Sequence, residues 1–475
     1  MFSLFKDKGF MKTAVRLAVP VALQNLLTSS FTLADTLLVS KLGDVALSSV
    51  GMIGQWAWLM NMVLVGFCSA TTVFVSQYWG IKDIKKIRRI SGISIVFALI
   101  VSALFTSVSL VFTRGVVRIF NSDSAVISAG SEYLRLVCLS FIAVALTNIL
   151  ATILRSVENV KLPMYVSGFT TVLNIFLDYA MIFGKFGFAE MGIKGAAVAT
   201  VISAWSGVAI LVIISVFQKN ILIANPKKFF VFSKEEFKTY VKKATPVVIN
   251  EGMWGAGTFI FNIIYGNMGY EYFSAITILR SFENIAFIIF IGICSASSVM
   301  IGKSIGSGKI ERGITDAKRF SYLVPVLSVL TSVIIIVFRN QLVSIFNMGS
   351  NIASNTLSTA AILMIIYSCA FPLRMFSYLQ VVSVFRSAGD TVTGVKYDLV
   401  SLWAMSLPAT LIAVYVLKVP FIVAFAIMYI FEDIPKTIMC LRFYLSRKWI
   451  KPVTKEGRAA LEAYQSNNIK SGDEK

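Results

Sequence analysis

Residues 92–113 read GISIVFALIVSALFTSVSLVFT, twenty-two positions without one charged side chain. As a helix this run spans roughly 33 Å, about the thickness of a bilayer's hydrocarbon core. Inside lipid every backbone N–H and C=O must find a partner in the protein. A helix meets that demand within one segment, and the run is too long and too evenly apolar for a barrel strand. Working outward, comparable stretches occur at 13–38, 47–78, 132–155, 163–184, 191–217, 243–267, 273–302, 320–338, 356–385, 397–417 and 420–441. The expectation is an all-α integral membrane protein with twelve transmembrane helices. Stretches 47–78, 273–302 and 356–385 exceed the bilayer core and should tilt or project into water. Composition agrees: 57% of the 475 residues are apolar and 14% charged, against about 45–50% and 25% in soluble domains.

The charges give the topology. Segments 1–16, 82–89, 155–161, 219–243, 303–319, 386–396 and 442–475 together hold 33 of the 44 Lys and Arg residues. The alternate loops hold eight: Lys41, Arg114, Arg118, Arg135, Lys185, Lys194, Arg339 and Lys418. Arg280, Arg374 and Lys436 fall within spans. That bias places both termini in the cytoplasm of a multi-pass protein of the plasma or inner membrane and requires an even number of spans. It also accounts for the formal charge of +20 through contact with anionic lipid, without nucleic acid. Lys6, Lys8, Lys12 and Arg16 precede the first apolar run with no cleavage pattern after it, so that run reads as a retained span.

Absent groups exclude chemistry. With no histidine there is no His triad, His-ligated metal or imidazole proton relay. Cys68, Cys138, Cys294, Cys369 and Cys440 lie scattered in apolar segments and read as small hydrophobes. Gly302-Lys303-Ser304 imitates the end of a phosphate loop, but Ser297 stands where its first glycine is needed, so no ATPase is present. A membrane prenyl or acyl transferase would want a DDxxD pair or a catalytic His, and neither occurs. The protein reads as no enzyme, without cofactor.

The segment 218–242, containing Pro226 and five lysines before Lys242, divides the chain into a first lobe, 1–217, and a second, 243–445. Residues 446–475 form a cytoplasmic tail, read as a short helix followed by disorder. The lobes repeat. At an offset of 226, Pro20 meets Pro246, Gly43 meets Gly269, Gly66 meets Gly292, Gly80 meets Gly306, and Cys68-Ser69-Ala70 meets Cys294-Ser295-Ala296. At an offset of 231, Arg155-Ser156 meets Arg386-Ser387. Six spans per lobe give both the same orientation, related by a pseudo-two-fold along the membrane normal, as in secondary transporters. Substrate is then expected between the lobes; a channel would need a repeated filter loop. The matched prolines read either as packing kinks or as flex points.

A carboxylate at the centre of a membrane helix costs about 2.5–3.5 kcal/mol. Asp35, Asn148, Asn174, Asp178 and Thr200 all fall within spans of the first lobe. Asn174 and Asp178 are four apart and share a helix face. Their repeat partners are apolar: Asp35 maps to Phe261, Asn174 to Met405 and Asp178 to Ala409. Two carboxylates with amide and hydroxyl oxygens suit sodium, and equally a proton, because neighbouring carboxylates in low dielectric resist double ionisation. Either acid alone also reads as an interfacial cap. In the second lobe Glu251, partner of Asn25, reads as a proton carrier, a substrate contact or a hydrogen bond to a neighbouring helix, with Trp254 beside it. Gly252, Gly255 and Gly257 permit close helix approach. Arg280 with Glu283, and Glu432 and Asp433 with Lys436, read as pairs that neutralise each other. Arg155 and Arg386 read as snorkelling to the interface.

The stretches ADTLLVSKLGDVALSSVG around Asp35, VSQYWG at 75–80, LRS at 154–156, NIFLDYAMIFGKFGFAEMGIKGAAVAT at 174–200 and FRSAGDT at 385–391 resemble the MATE (multidrug and toxic compound extrusion) family. The resemblance covers nearly the whole chain. It implies two six-helix lobes in a V, with cation-driven export of drug-like organic cations in exchange for H+ or Na+ by alternating access. It assigns Asp35, Asn148, Asn174, Asp178 and Thr200 to the coupling site, with Asp35, Asn174, Asp178 and Thr200 as the sodium ligands if sodium is the ion. It makes Glu251 a further acid of the seventh helix. Family members with that acid also carry one in the tenth helix, where this chain has Arg374 and no carboxylate; coupling is therefore expected in the first lobe. The expected partners are small organic substrates and the bilayer, for a monomer. The alternative is a lipid-linked oligosaccharide flippase of similar architecture, which would present basic residues to a pyrophosphate.

Overall fold

The computed structural model describes residues 7–121, 123–223, 227–345 and 354–472; Lys6 and Pro226 lie outside them. The first half forms α1 (Lys8–Ser40), α2 (Asp44–Gly80), α3 (Ile84–Val111), α4 (Thr113–Phe120), α5 (Ser124–Val137), α6 (Ser140–Ser156), α7 (Lys161–Ile182) and α8 (Ile193–Phe217). Short α9 (Lys227–Phe230) precedes α10 (Lys234–Met268), α11 (Tyr270–Gly306) and α12 (Ile310–Ile345). Next come α13 (Ser354–Tyr378), prolonged by a π-helical stretch over Leu379–Phe385, and α14 (Thr393–Leu399) and α15 (Leu407–Leu411), joined by π-helical turns. The chain ends in α16 (Phe421–Leu445) and α17 (Lys455–Gly472).

Among the described residues ten helices are long and apolar enough to span a bilayer, and α5 with α6, bent by 50°, makes an eleventh. The expected span 132–155 is thus two helices. The count of twelve needs α16 as well; it has 25 residues, but Glu432, Asp433 and Lys436 interrupt its apolar run. α2 and α11, at 37 residues each, have the excess length read from the sequence. Large apolar side chains face outward, Val111 at 72%, Ile119 at 74% and Val172 at 68% exposure. Water would penalise such a surface and lipid does not.

Local chemistry sets the breaks. Gly43 and Gly269, matched in the repeat, both take positive φ where one long helix ends and the next begins, a conformation costly for any residue with a Cβ. Asp83 caps α3 by accepting from the Lys86 N–H, and Asp123 caps α5 through the N–H groups of Ala125 and Val126. Each satisfies donors that a helix start leaves unpaired.

The chain divides into two compact units. One comprises Pro20–Val75 and Asp83–Ala244. Its core is built on Met60, Leu64, Leu134, Phe141, Ile149 and Leu154. Here α7 and α8 lie so close that a Cβ on Gly195 would stand 2.6 Å from the Met181 carbonyl oxygen. The segment read as a linker is partly structured: Tyr240 in α10 is fully buried and its hydroxyl meets Thr71, Ser94 and the Phe67 carbonyl.

The other unit comprises Thr245–Lys475, Ser76–Lys82 and the start of the chain to Val19. α11, α12, α13 and α16 pack together in it. The last turns of α2 and α11 cross at glycines: a Cβ on Gly80 would lie 2.3 Å from the Lys303 carbonyl oxygen, and one on Gly306 2.3 Å from that of Gln77. Residues 77 and 80 map onto 303 and 306 in the sequence repeat, so the two close approaches pair repeat-related positions. The tail differs from the disorder read in its sequence. The Lys451 N–H donates to Ala388, the Val453 N–H to Gln77 Oε1 and the Thr454 hydroxyl to the Gly306 carbonyl. Trp449 is fully buried against Phe385 and Tyr444, and α17 extends for 18 residues.

Candidate functional site

The coupling-site residues lie on four helices of the unit built on Met60 and Leu154. Asp35 sits late in α1, Asn148 in α6, Asn174 and Asp178 on one face of α7, and Thr200 in α8. Asn174 and Asp178 are fully buried. The Asn174 amide donates to the Ser203 hydroxyl at 3.2 Å. Asp35 and Asp178 are close enough to act on each other electrostatically, and both act on Tyr133 of α5, which also neighbours Thr200. Asp35, Asp178, Thr200 and Tyr133 therefore form one cluster, edged by Asn174 and Ser203. Asn148 turns to Asn61 of α2 at 3.1 Å, a contact that none of the other candidates shares. Thr200 also donates to the Ala196 carbonyl.

The oxygens decide what the cluster can do. Asp35 Oδ1, both carboxylate oxygens of Asp178 and Asn174 Oδ1 are buried and accept no hydrogen bond. Among the described residues neither carboxylate forms an ion pair. Buried acceptors are ordinarily satisfied, and an unpaired buried charge is among the costliest features a fold can carry. Oxygen acceptors without donors suit a proton or a hard cation. A cavity of about 400 Å³ lined by Leu23, Leu26, Leu27, Met164, Tyr165, Gly168 and Phe169 lies on the same two helices, α1 and α7, more than a turn before the acids. It is apolar and holds none of this chemistry.

Tyr133, Ser203 and Asn61 were not singled out from sequence. Ser203 follows Thr200 by three and shares its face, a readable signal. Tyr133 is one of 16 tyrosines and only its packing marks it.

The second half corrects several pairings. Arg386 is 3% exposed and binds Glu251 at 3.1 Å, and Arg155 donates to Gln24 and Thr152. Neither snorkels: each repeat-related arginine reaches back to the first long helix of its half. Trp254 lies one turn beyond Glu251 and is 45% exposed. Arg280 donates to Asn262 at 2.5 Å, while Glu283 pairs with Arg374 at 3.8 Å. Arg374 also binds Glu432 at 3.0 Å and Asp433 at 3.2 Å, and Lys436 pairs with Asp398. These hydrogen-bond and ion-pair partners lie on neighbouring helices, while Arg280 still acts electrostatically on Glu283 and Lys436 on Asp433. The second half is apolar at the mapped positions, Phe261 being 4% exposed, but it is not free of charge.

A helical membrane protein with an internal two-fold repeat and unpaired carboxylates inside one half belongs to the class of secondary transporters. The MatE family model matches residues 20–180 and 246–412, one match per half, and the chain belongs to this family of multi-pass membrane transporters. It is 28% identical over 472 residues to a Thermotoga maritima chain described as "Probable multidrug resistance protein NorM", covering 95% of this chain and 97% of that one. It is 26% identical to "Uncharacterized transporter YisQ" of Bacillus subtilis, covering 88% and 90%. Among solved structures, the Vibrio cholerae MATE transporter VcmN in its bent form superposes with a TM-score of 0.81 at 18% identity, over 96% of this chain and 98% of that one. The eukaryotic MATE transporter AtDTX14 gives 0.79 at 17% identity, over 96% and 98%.

Proposed function

We propose that the protein exports organic cations, drug-like in size, in exchange for inward H+ or Na+. Asp35 and Asp178 take up the coupling ion, with Asn174, Thr200 and the newly placed Tyr133 and Ser203 around them. Alternating access of the two lobes converts ion entry into substrate exit, with both termini in the cytoplasm and no resident cofactor. Glu251 and Trp254 are the substrate-side candidates, and the ion pair to Arg386 makes Glu251 a gate whose charge is compensated until that pair opens.

One observation carries this reading: two carboxylates within electrostatic reach, with buried oxygens that accept no hydrogen bond and no base paired to either. A purely structural pair would be expected to have found an arginine or lysine, as the acids of the second half have. The names of the multidrug-resistance relatives point the same way. The flippase alternative is disfavoured because Arg280, Arg374 and Lys436 each engage a protein partner and offer no free base to a pyrophosphate.

The test is ethidium efflux from proteoliposomes under a sodium gradient alone and then a pH gradient alone. One of the two should drive export in the native chain, and Asp35→Asn should abolish it with insertion intact. Undiminished export by Asp35→Asn would remove that carboxylate from the mechanism.

A further inference from the structure

We infer that Arg374 is a resident cation: its guanidinium stands in a carboxylate cage of the second half, and the cage without it is a site for a small monovalent cation. The cage draws on three helices. Arg374 on α13 meets Glu432 at 3.0 Å and Asp433 at 3.2 Å, both on α16, and Glu283 on α11 at 3.8 Å. Its guanidinium carbon also lies 4.6 Å from the centre of the Tyr429 ring. Arginine stays protonated under any physiological condition, so this charge neither leaves nor titrates.

The surroundings are built for more positive charge than protein donors supply. Glu283, Asp398, Glu432 and Asp433 stand against Arg280, Arg374 and Lys436, four acids to three bases. Removing Arg374 leaves two uncompensated carboxylates in a buried setting, which cannot stay ionised without a replacement. Two further buried oxygens lie in the same region. The hydroxyls of Tyr265 and Tyr367, residues 2% and 1% exposed, have no hydrogen-bond partner. Tyr265 lies within electrostatic reach of Glu432 and Arg374, and Tyr367 within reach of Glu283, Asp433 and Arg374. Carboxylate and phenol oxygens are the ligands a hard cation takes.

For the transport cycle, this inference rests on the ion-coupled reading above: with its cation covalently tethered, the second half exchanges no ion, and the driving ion enters through Asp35 and Asp178 alone.

Thermal unfolding of the purified full chain tests it, in NaCl or in choline chloride at equal ionic strength. In choline, Arg374→Gln should unfold about 3–5 °C below the native chain. NaCl should restore that loss saturably, over and above any sodium response of the native chain. Arg374→Lys keeps the charge and should respond to sodium as the native chain does. In Arg374→Gln with Glu432→Gln, the cage loses an acid as well as the base, and the extra sodium response should disappear. Should Arg374→Gln fail to fold in choline, its yield of folded protein in the two salts replaces the midpoint. Equal sodium responses in Arg374→Gln and the native chain, or an undiminished response in the double variant, overturn the assignment. A native chain that transports nothing under either gradient would count against the ion-coupled reading and leave these midpoints as they are.

Discussion

Asp178 is fully buried and neither of its oxygens accepts a hydrogen bond, whereas Asp433, equally deep, has an arginine on it. The same side chain thus occupies two electrostatic situations in one molecule. The contrast predicts opposite responses to neutralisation. Asp178→Asn should abolish ion-driven efflux and leave the unfolding midpoint unchanged or raised, because an isosteric amide replaces a buried carboxyl group that no base compensates. Asp433→Asn breaks a buried pair and should cost stability, about 3–5 kcal/mol. A lowered midpoint in Asp178→Asn together with intact efflux would show that the two acids have the same role. The apolar counterpart gives a control: Phe261→Ala should lower stability by about 3–5 kcal/mol through the cavity it leaves, yet retain coupled efflux where Asp178→Asn does not. The Asn174–Asp178 pair was legible because four residues make one helical turn. The company each acid keeps was not legible, because a periodic pattern reports faces and says nothing of which neighbour a face meets. That is why Arg280 and Glu283 read as partners and Arg155 and Arg386 as snorkelling.

The helices themselves were largely readable, since continuous apolar length is a direct consequence of bilayer thickness. Breaks were less so. The bend between α5 and α6 falls at Cys138-Leu139, with neither glycine nor proline to mark it. The glycine cluster at 252–257 read as one feature and splits into two. A Cβ on Gly257 would stand 2.6 Å from Leu402, while one on Gly252 would meet nothing within 4 Å. Gly252→Ala should therefore stabilise by about 0.5–1 kcal/mol through helix propensity, and Gly257→Ala should not share that gain because Leu402 must move. Melting the two variants side by side settles the point; equal gains would mean that α10 is not held against Leu402. The matched glycines were better guides, as Gly80 and Gly306 are constrained by backbone atoms that cannot rotate away.

For the molecule as a whole the repeat was visible and the tail was not, because polar composition argues for solvent unless a docking surface is known. Asp390 reports on that docking from outside the spans. Burial pushes its carboxyl up, but the Lys451 ammonium at 2.6 Å, the Thr393 N–H and hydroxyl and the Val392 N–H outweigh this and hold it below the ordinary value. A folded value below the unfolded one means that the stabilisation is present above about pH 3.9 and is lost as pH falls through the lowered value. Pepsin should accordingly release the tail slowly at about pH 4.5 and rapidly at about pH 2.5, and Lys451→Ala should weaken the difference. Release rates independent of pH would show that Asp390 does not secure it.

The Gln77 side chain donates to Ser387 and accepts from Val453, a residue 376 positions later. A ribosome delivers these two groups at opposite ends of translation. Through most of synthesis the Gln77 carboxamide is without its last donor, and a message truncated before codon 453 never provides it. The segment that carries Val453, within the last twentieth of the 475 residues, thus closes a contact that an early membrane helix leaves open.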